Sequence, residues 1–171
     1  DGPGIDQYSQ HPQVFAVLTD TLDREDAKKN LEKTLRSPEK YAQCSVAMAY
    51  YLFRALEKAG LYEWSTQYWN IWKRMLAKGA TTCVEDEVGE RSECHAWGAL
   101  MLYELPSVIL GVRPAKPGYG AVSVNPHGEV LEWFKGEVIT PRGMVHVEKC
   151  PGGPGEEGAD TGTITVDVPE G

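Results

Sequence analysis

At 171 residues, with 42% hydrophobic and 25% charged positions, the chain has an ordinary globular makeup and enough length to bury a core. Its formal charge of −8 argues against a nucleic-acid partner, because that affinity comes from lysines and arginines neutralising phosphates. No apolar run approaches the ~20 residues that cross a bilayer, so the chain reads as soluble with no membrane partner, its compartment open between cytoplasm, periplasm and exterior. It opens without a signal-peptide pattern and on Asp1 rather than Met, which suggests a processed product or a piece of something longer.

Ser9 reads as an N-cap with Pro12 in the first turn, and Val14, Val17 and Leu18 supply an apolar face, so a first helix is expected over 9–20. A second runs over 24–36, with Ala27, Leu31 and Leu35 on one side, until Ser37-Pro38 stops it. The strongest helical signal spans 41–59, where Val46, Ala49, Tyr50, Phe53 and Leu56 recur at steps of three and four before Gly60. A fourth helix over 61–78 carries Trp64, Tyr68, Ile71, Trp72 and Met75, and Gly79 ends it. A fifth is expected over 93–110, with Pro106 predicting a kink or an early end.

The period then changes. A linker rich in proline and glycine follows at 111–118, and alternation at steps of two marks strands at 121–124, 131–140, 144–148 and 163–168, with a turn at Pro141-Arg142-Gly143. The expected organisation is a helical segment over 1–111 and a β domain over 112–171: α then β, helical hairpins followed by a small antiparallel sandwich-like domain.

Between the fourth and fifth helices lies the chemically densest stretch. Within thirteen residues it holds Glu85, Asp86, Glu87, Glu90, Arg91, Glu93, His95 and Trp97. Loops on a rigid scaffold are where catalytic groups tend to sit; the alternative is a solvated acidic loop before a capped helix. Ser92 is better placed as that helix's N-cap than as a nucleophile, since no Gly-x-Ser-x-Gly elbow surrounds it. Cys44, Cys83, Cys94 and Cys150 form no Cys-x-x-Cys pair and no zinc spacing, so no metal is expected. They read as small apolar residues of a reduced protein, with a Cys83–Cys94 disulfide as the alternative. No phosphate-binding glycine loop is present, and no cofactor is implied.

Three stretches carry a family likeness: Tyr8-Ser9-Gln10-His11-Pro12-Gln13; Gly79-Ala80-Thr81-Thr82-Cys83-Val84-Glu85 with Arg91-Ser92-Glu93-Cys94-His95-Ala96-Trp97; and Leu110-Gly111-Val112-Arg113-Pro114 with Pro117-Gly118-Tyr119 and Gly136-Glu137-Val138-Ile139-Thr140-Pro141-Arg142-Gly143. In this order they resemble the end of bacterial α-L-rhamnosidases of glycoside hydrolase family 78, although Pro12 departs from the small residue expected there. The resemblance implies the last helices of an (α/α)6 toroid, then part of the C-terminal β domain, and a fragment truncated at both ends. It also implies a rhamnoside-containing carbohydrate as substrate, inversion without a cofactor, and a general acid upstream of Asp1, so that the chain alone has weak activity or none.

By motif position Glu85 is the general base and His95, Trp97, Arg91 and His11 contact the sugar. An inverting glycosidase needs two carboxyl groups about 6.5–9.5 Å apart with a water between them. Repulsion from Asp86 and Glu87 would oppose ionisation of Glu85 and Arg91 would favour it. Plainer readings stay open at each position: a solvent-facing acid for Glu85, a buried hydrogen-bonded imidazole for His95, hairpin packing for Trp97 and a helix start for His11. The rival function is a non-catalytic carbohydrate-binding or interaction module using exposed aromatics such as Trp133 or Tyr119. A related toroid glycosidase acting on another sugar is a third reading. An open helical fragment would also expose apolar helix faces, which implies homo-oligomers.

Overall fold

The computed structural model describes residues 3–4, 6–86, 92–152 and 162–169. The chain divides into two compact units, Asp1–Leu100 and Met101–Gly171. Helices lead and small antiparallel sheets follow, as the periods in the sequence require. No helix among the described residues is long and apolar enough to cross a membrane.

In the first unit, α1 (His11–Leu18), α2 (Arg24–Arg36) and α3 (Ala49–Ala59) pack together, and α4 (Asn70–Ala77) follows a 3-10 stretch at Tyr62–Gln67. Positions three and four apart meet on one face, so Val14 and Val17, Leu31 and Leu35, and Leu52, Phe53 and Leu56 become the core. Phe53 touches the rings of Tyr62, Tyr68 and Trp72, which ties α3 to the α4 region. Gly60 ends α3 in the left-handed conformation, as expected of a residue without Cβ.

The expected helix over 41–59 is shorter than its pattern. Tyr41–Ala42 is a strand (β2) lying parallel to Tyr8–Ser9 (β1), and α3 begins only at Ala49. The cause is Gln10, which is fully buried. Its backbone N–H donates to Ala42 O at 2.9 Å, and its side-chain carbonyl accepts from Cys44 N–H at 3.2 Å. Its amide nitrogen donates to Thr34 Oγ1 at 3.1 Å and to the Tyr68 hydroxyl at 2.9 Å. One buried residue thus ties together α2, the 41–44 segment and the stretch before α4, and residues 41–44 give up helical bonding to reach it. For the same reason Ser9 is a strand residue rather than the N-cap expected of it, and Gln10 stands before α1 without capping it by its side chain. Burial beside this network pushes the Cys44 thiol up to about 12, which keeps it protonated.

In the second unit, the expected fifth helix is replaced by α5 (Met101–Glu104) running into a π-helical turn at Leu105–Ile109, and its first part, in the other unit, by a 3-10 turn at Ala96–Leu100. Pro106 has no N–H to give and crowds the preceding turn. The coil widens, and Leu110 N–H reaches back five residues to Leu105 O at 2.9 Å. This turn packs on β3 (Val112–Lys116) and on β5 (Phe134–Thr140). The linker expected at 111–118 contains β3, a hairpin partner of β4 (Ala121–Val124); Pro114 hid it, although a two-stranded ribbon is all edge and tolerates proline. Then β5, β6 (Gly143–Cys150) and β7 (Thr163–Asp167) form an antiparallel meander. Alternation along β6 buries Val145, Val147 and Lys149, and the Lys149 ammonium donates to the carbonyls of Gly128 and Leu131.

Replacing Gln10 by Ala strands the Cys44 N–H and takes one donor from the hydroxyls of Thr34 and Tyr68, which keep their own bonds to Leu31 O and Gln43 Oε1, at a cost of about 1–3 kcal/mol. Urea unfolding followed by circular dichroism should show that loss; an unchanged midpoint would refute the hub role. Asp23 caps α2, and the backbone N–H of Asp26 in particular holds its carboxyl below the ordinary value of 3.8. A lowered folded-state value adds stability above the unfolded value and loses it as pH falls through the folded one. The gap in melting temperature between the wild type and Asp23→Asn should therefore narrow on acidification below pH 4. A gap that stays constant to pH 2 would contradict the charge contribution.

Candidate active site

The site is built from the end of α4 outward. Val84 is buried with Val46 and Met75, against Ile71, Trp72 and Ala80. Its neighbours Cys83 and Glu85 are half-buried. Two backbone hydrogen bonds lay this segment against the next: Glu85 N–H to Ser92 O, and His95 N–H to Cys83 O, each 2.8 Å. Two steps on one side face three on the other, so the second segment bulges by one residue. Bulges of this kind re-aim a side chain, and here the imidazole of His95 comes to lie beside Glu85.

The resulting cluster is close-knit. His95 Nε2 stands 3.9 Å from Glu85 Oε2, too long for a hydrogen bond but within ion-pair range when the imidazole is protonated. The two side chains are 28% and 15% exposed, so solvent reaches both but screens neither fully. The His95 and Trp97 rings lie 4.3 Å apart at 42°, and the Trp97 indole N–H donates to the backbone carbonyl of Glu85 at 3.0 Å. His95 Nδ1 is buried and has no hydrogen-bond partner among the described residues.

Two residues given no site role from the sequence hold this arrangement. Gly98 donates to His95 O at 3.0 Å, and its own carbonyl accepts the Trp72 indole N–H at 2.7 Å. A Cβ at residue 98 would sit 2.6 Å from Cys83 Cβ and 2.9 Å from Val84 O, so only glycine lets the 3-10 turn lie on the loop. The signal for Gly98 was present as a glycine inside an apolar helical pattern; nothing in the spacing tied Trp72 to it.

The remaining expected residues separate. His11 opens α1, and none of the described hydrogen bonds, ion pairs or ring contacts joins it to Glu85, His95 or Trp97. Arg91, with Glu87 and Glu90, lies outside the described residues. Ser92 caps no helix, since helical turns resume only at Ala96; its hydroxyl accepts from Cys94 N–H at 3.3 Å. A hollow of about 550 Å³ opens beside the loop, lined by Arg74, Met75, Lys78, Val84 and Glu93 among others, but Glu85, His95 and Trp97 do not line it. Cys83 and Cys94 are free thiols. No group of three or more His, Cys, Asp or Glu suited to a metal occurs among the described residues.

Among solved structures the chain is similar to a GH78 family rhamnosidase of Bacillus sp. GL1, with a TM-score of 0.70 and 32% identity over 84% of this chain. It carries the fold of a fragment of a GH78 rhamnosidase. The chain spans 17% of that enzyme's length. No family model matches it, and no curated protein does. The GH78-like fold agrees with the family likeness carried by the sequence motifs, and the Glu85 loop is the part of it where carboxylate, imidazole and indole converge.

Gly98→Ala forces the 3-10 turn off the loop. Overpacking of this kind costs about 1–3 kcal/mol, and His95 amide exchange should accelerate with it. Wild-type stability and exchange in that variant would show that the close approach is dispensable.

Proposed function

We propose that this chain carries the water-activating side of an inverting glycoside hydrolase acting on terminal α-L-rhamnosides, with Glu85 as general base. The observation that supports it is the carboxylate of Glu85 held beside His95 on a backbone-braced loop, in a fold like that of a GH78 rhamnosidase. A base must be ionised and within reach of the water it deprotonates. A protonated His95 at 3.9 Å is an attractive partner for an ionised carboxylate, while neutral His95 offers an N–H to a sugar hydroxyl. In the inverting reaction Glu85 takes a proton from water as that water attacks the anomeric carbon, and a second carboxylic acid protonates the leaving oxygen. The proposal assigns that acid to a part of such an enzyme outside these residues. Arg91 and His11 join the sugar contacts on the family likeness alone.

Incubated at high concentration with an aryl α-L-rhamnoside, the chain should release at most a trace of rhamnose, and Glu85→Gln should abolish that trace. L-Rhamnose binding, followed by ligand-observed NMR, should weaken about tenfold in His95→Ala, the worth of one good hydrogen bond to the sugar. Robust turnover lost in Glu85→Gln would put the second acid inside the chain and make Glu90 or Glu93 the candidate. Sugar binding indifferent to His95 but lost in Trp133→Ala would overturn the proposal in favour of a binding module, since Trp133 is 64% exposed.

A further inference from the structure

We infer that Trp97 is a positioning residue for Glu85 and His95; this rests on the reading of Glu85 as the base. Three observations carry it. The indole has a single polar atom, a donor, and that atom is committed to the backbone carbonyl of Glu85 at 3.0 Å. The ring lies against the His95 imidazole, 4.3 Å between centroids. The imidazole so held has Nε2 toward the Glu85 carboxylate, while its buried Nδ1 has no partner among the described residues to fix the ring instead.

An imidazole normally owes its orientation to a hydrogen bond on its second nitrogen. Here ring contact takes over that task. Trp97 therefore sets both members of the pair, Glu85 through its backbone and His95 through its ring plane. It can do so from the surface, since it is 42% exposed and belongs to no core.

Two variants separate the two functions. Trp97→Phe keeps a ring for His95 and loses the N–H; Trp97→Ala loses both. In Trp97→Phe the unfolding midpoint should stay at the wild-type value, and Glu85 amide exchange should speed up about tenfold as its segment loses an anchor. L-Rhamnose affinity should fall by a similar factor, and the imidazole ¹⁵N shifts of His95 should still report one tautomer. In Trp97→Ala those shifts should average between tautomers. A Phe variant with wild-type exchange and wild-type affinity would overturn the inference. So would affinity lost with exchange unchanged, because the indole would then be touching the sugar itself. Should the wild type bind no L-rhamnose, the function proposed for Glu85 fails, and the positioning role is decided by the exchange rates and the His95 tautomer alone.

Discussion

The geometry of the site depends on one close approach, that of residue 98 to the backbone of Cys83 and Val84. With no side chain at 98, the turn after His95 presses directly onto the loop, and the carbonyl of Gly98 is drawn to Trp72 on α4. Val84 is pulled into the apolar cluster on the same helix. The loop is thus pinned by packing at Val84 and by hydrogen bonds on both flanks of it, which fixes the backbone that carries Glu85. Without that bracing the carboxylate of Glu85 would lose the preorganised geometry that holds it beside His95.

Gln10 plays the corresponding part for the helices. Its amide satisfies donors and acceptors from α2, from the segment after β2 and from the stretch before α4, in a place where an unmatched polar group is costly. The Ser-Gln-His run therefore contributes to the fold through its central residue, while its histidine stands at the start of α1, unconnected to the Glu85 cluster by any described contact.

Much of this was legible in the sequence and the remainder was not, for identifiable reasons. The helices-then-strands order follows from a period near 3.6 giving way to a period of two. The apolar face of α2 was predictable at Ala27, Leu31 and Leu35; for α3 the pattern found Ala49, Phe53 and Leu56 but put exposed Tyr50 on the face and passed over fully buried Leu52. Three elements escaped, besides the 3-10 stretch at Tyr62–Gln67 that takes the first half of the fourth helix expected over 61–78. Residues 41–44 carry a helical pattern but are claimed by a residue more than thirty positions away, which no local window contains. The proline at 106 announced a disturbance without announcing a widened coil. The proline at 114 concealed an edge strand. At the site, the motif brought Glu85, His95 and Trp97 forward together, and they do converge. What spacing could not give was the bulge that turns His95 toward Glu85, the glycine contact behind it, or the commitment of the Trp97 N–H to the backbone.

The most direct measurement is a crystal structure of the chain soaked with L-rhamnose at neutral pH. The sugar should lie beside the loop, with a hydroxyl on His95 and the anomeric carbon facing a water held by the Glu85 carboxylate. A sugar bound only at a distant aromatic such as Trp133, with Glu85 turned to bulk solvent and away from His95, would contradict the assignment.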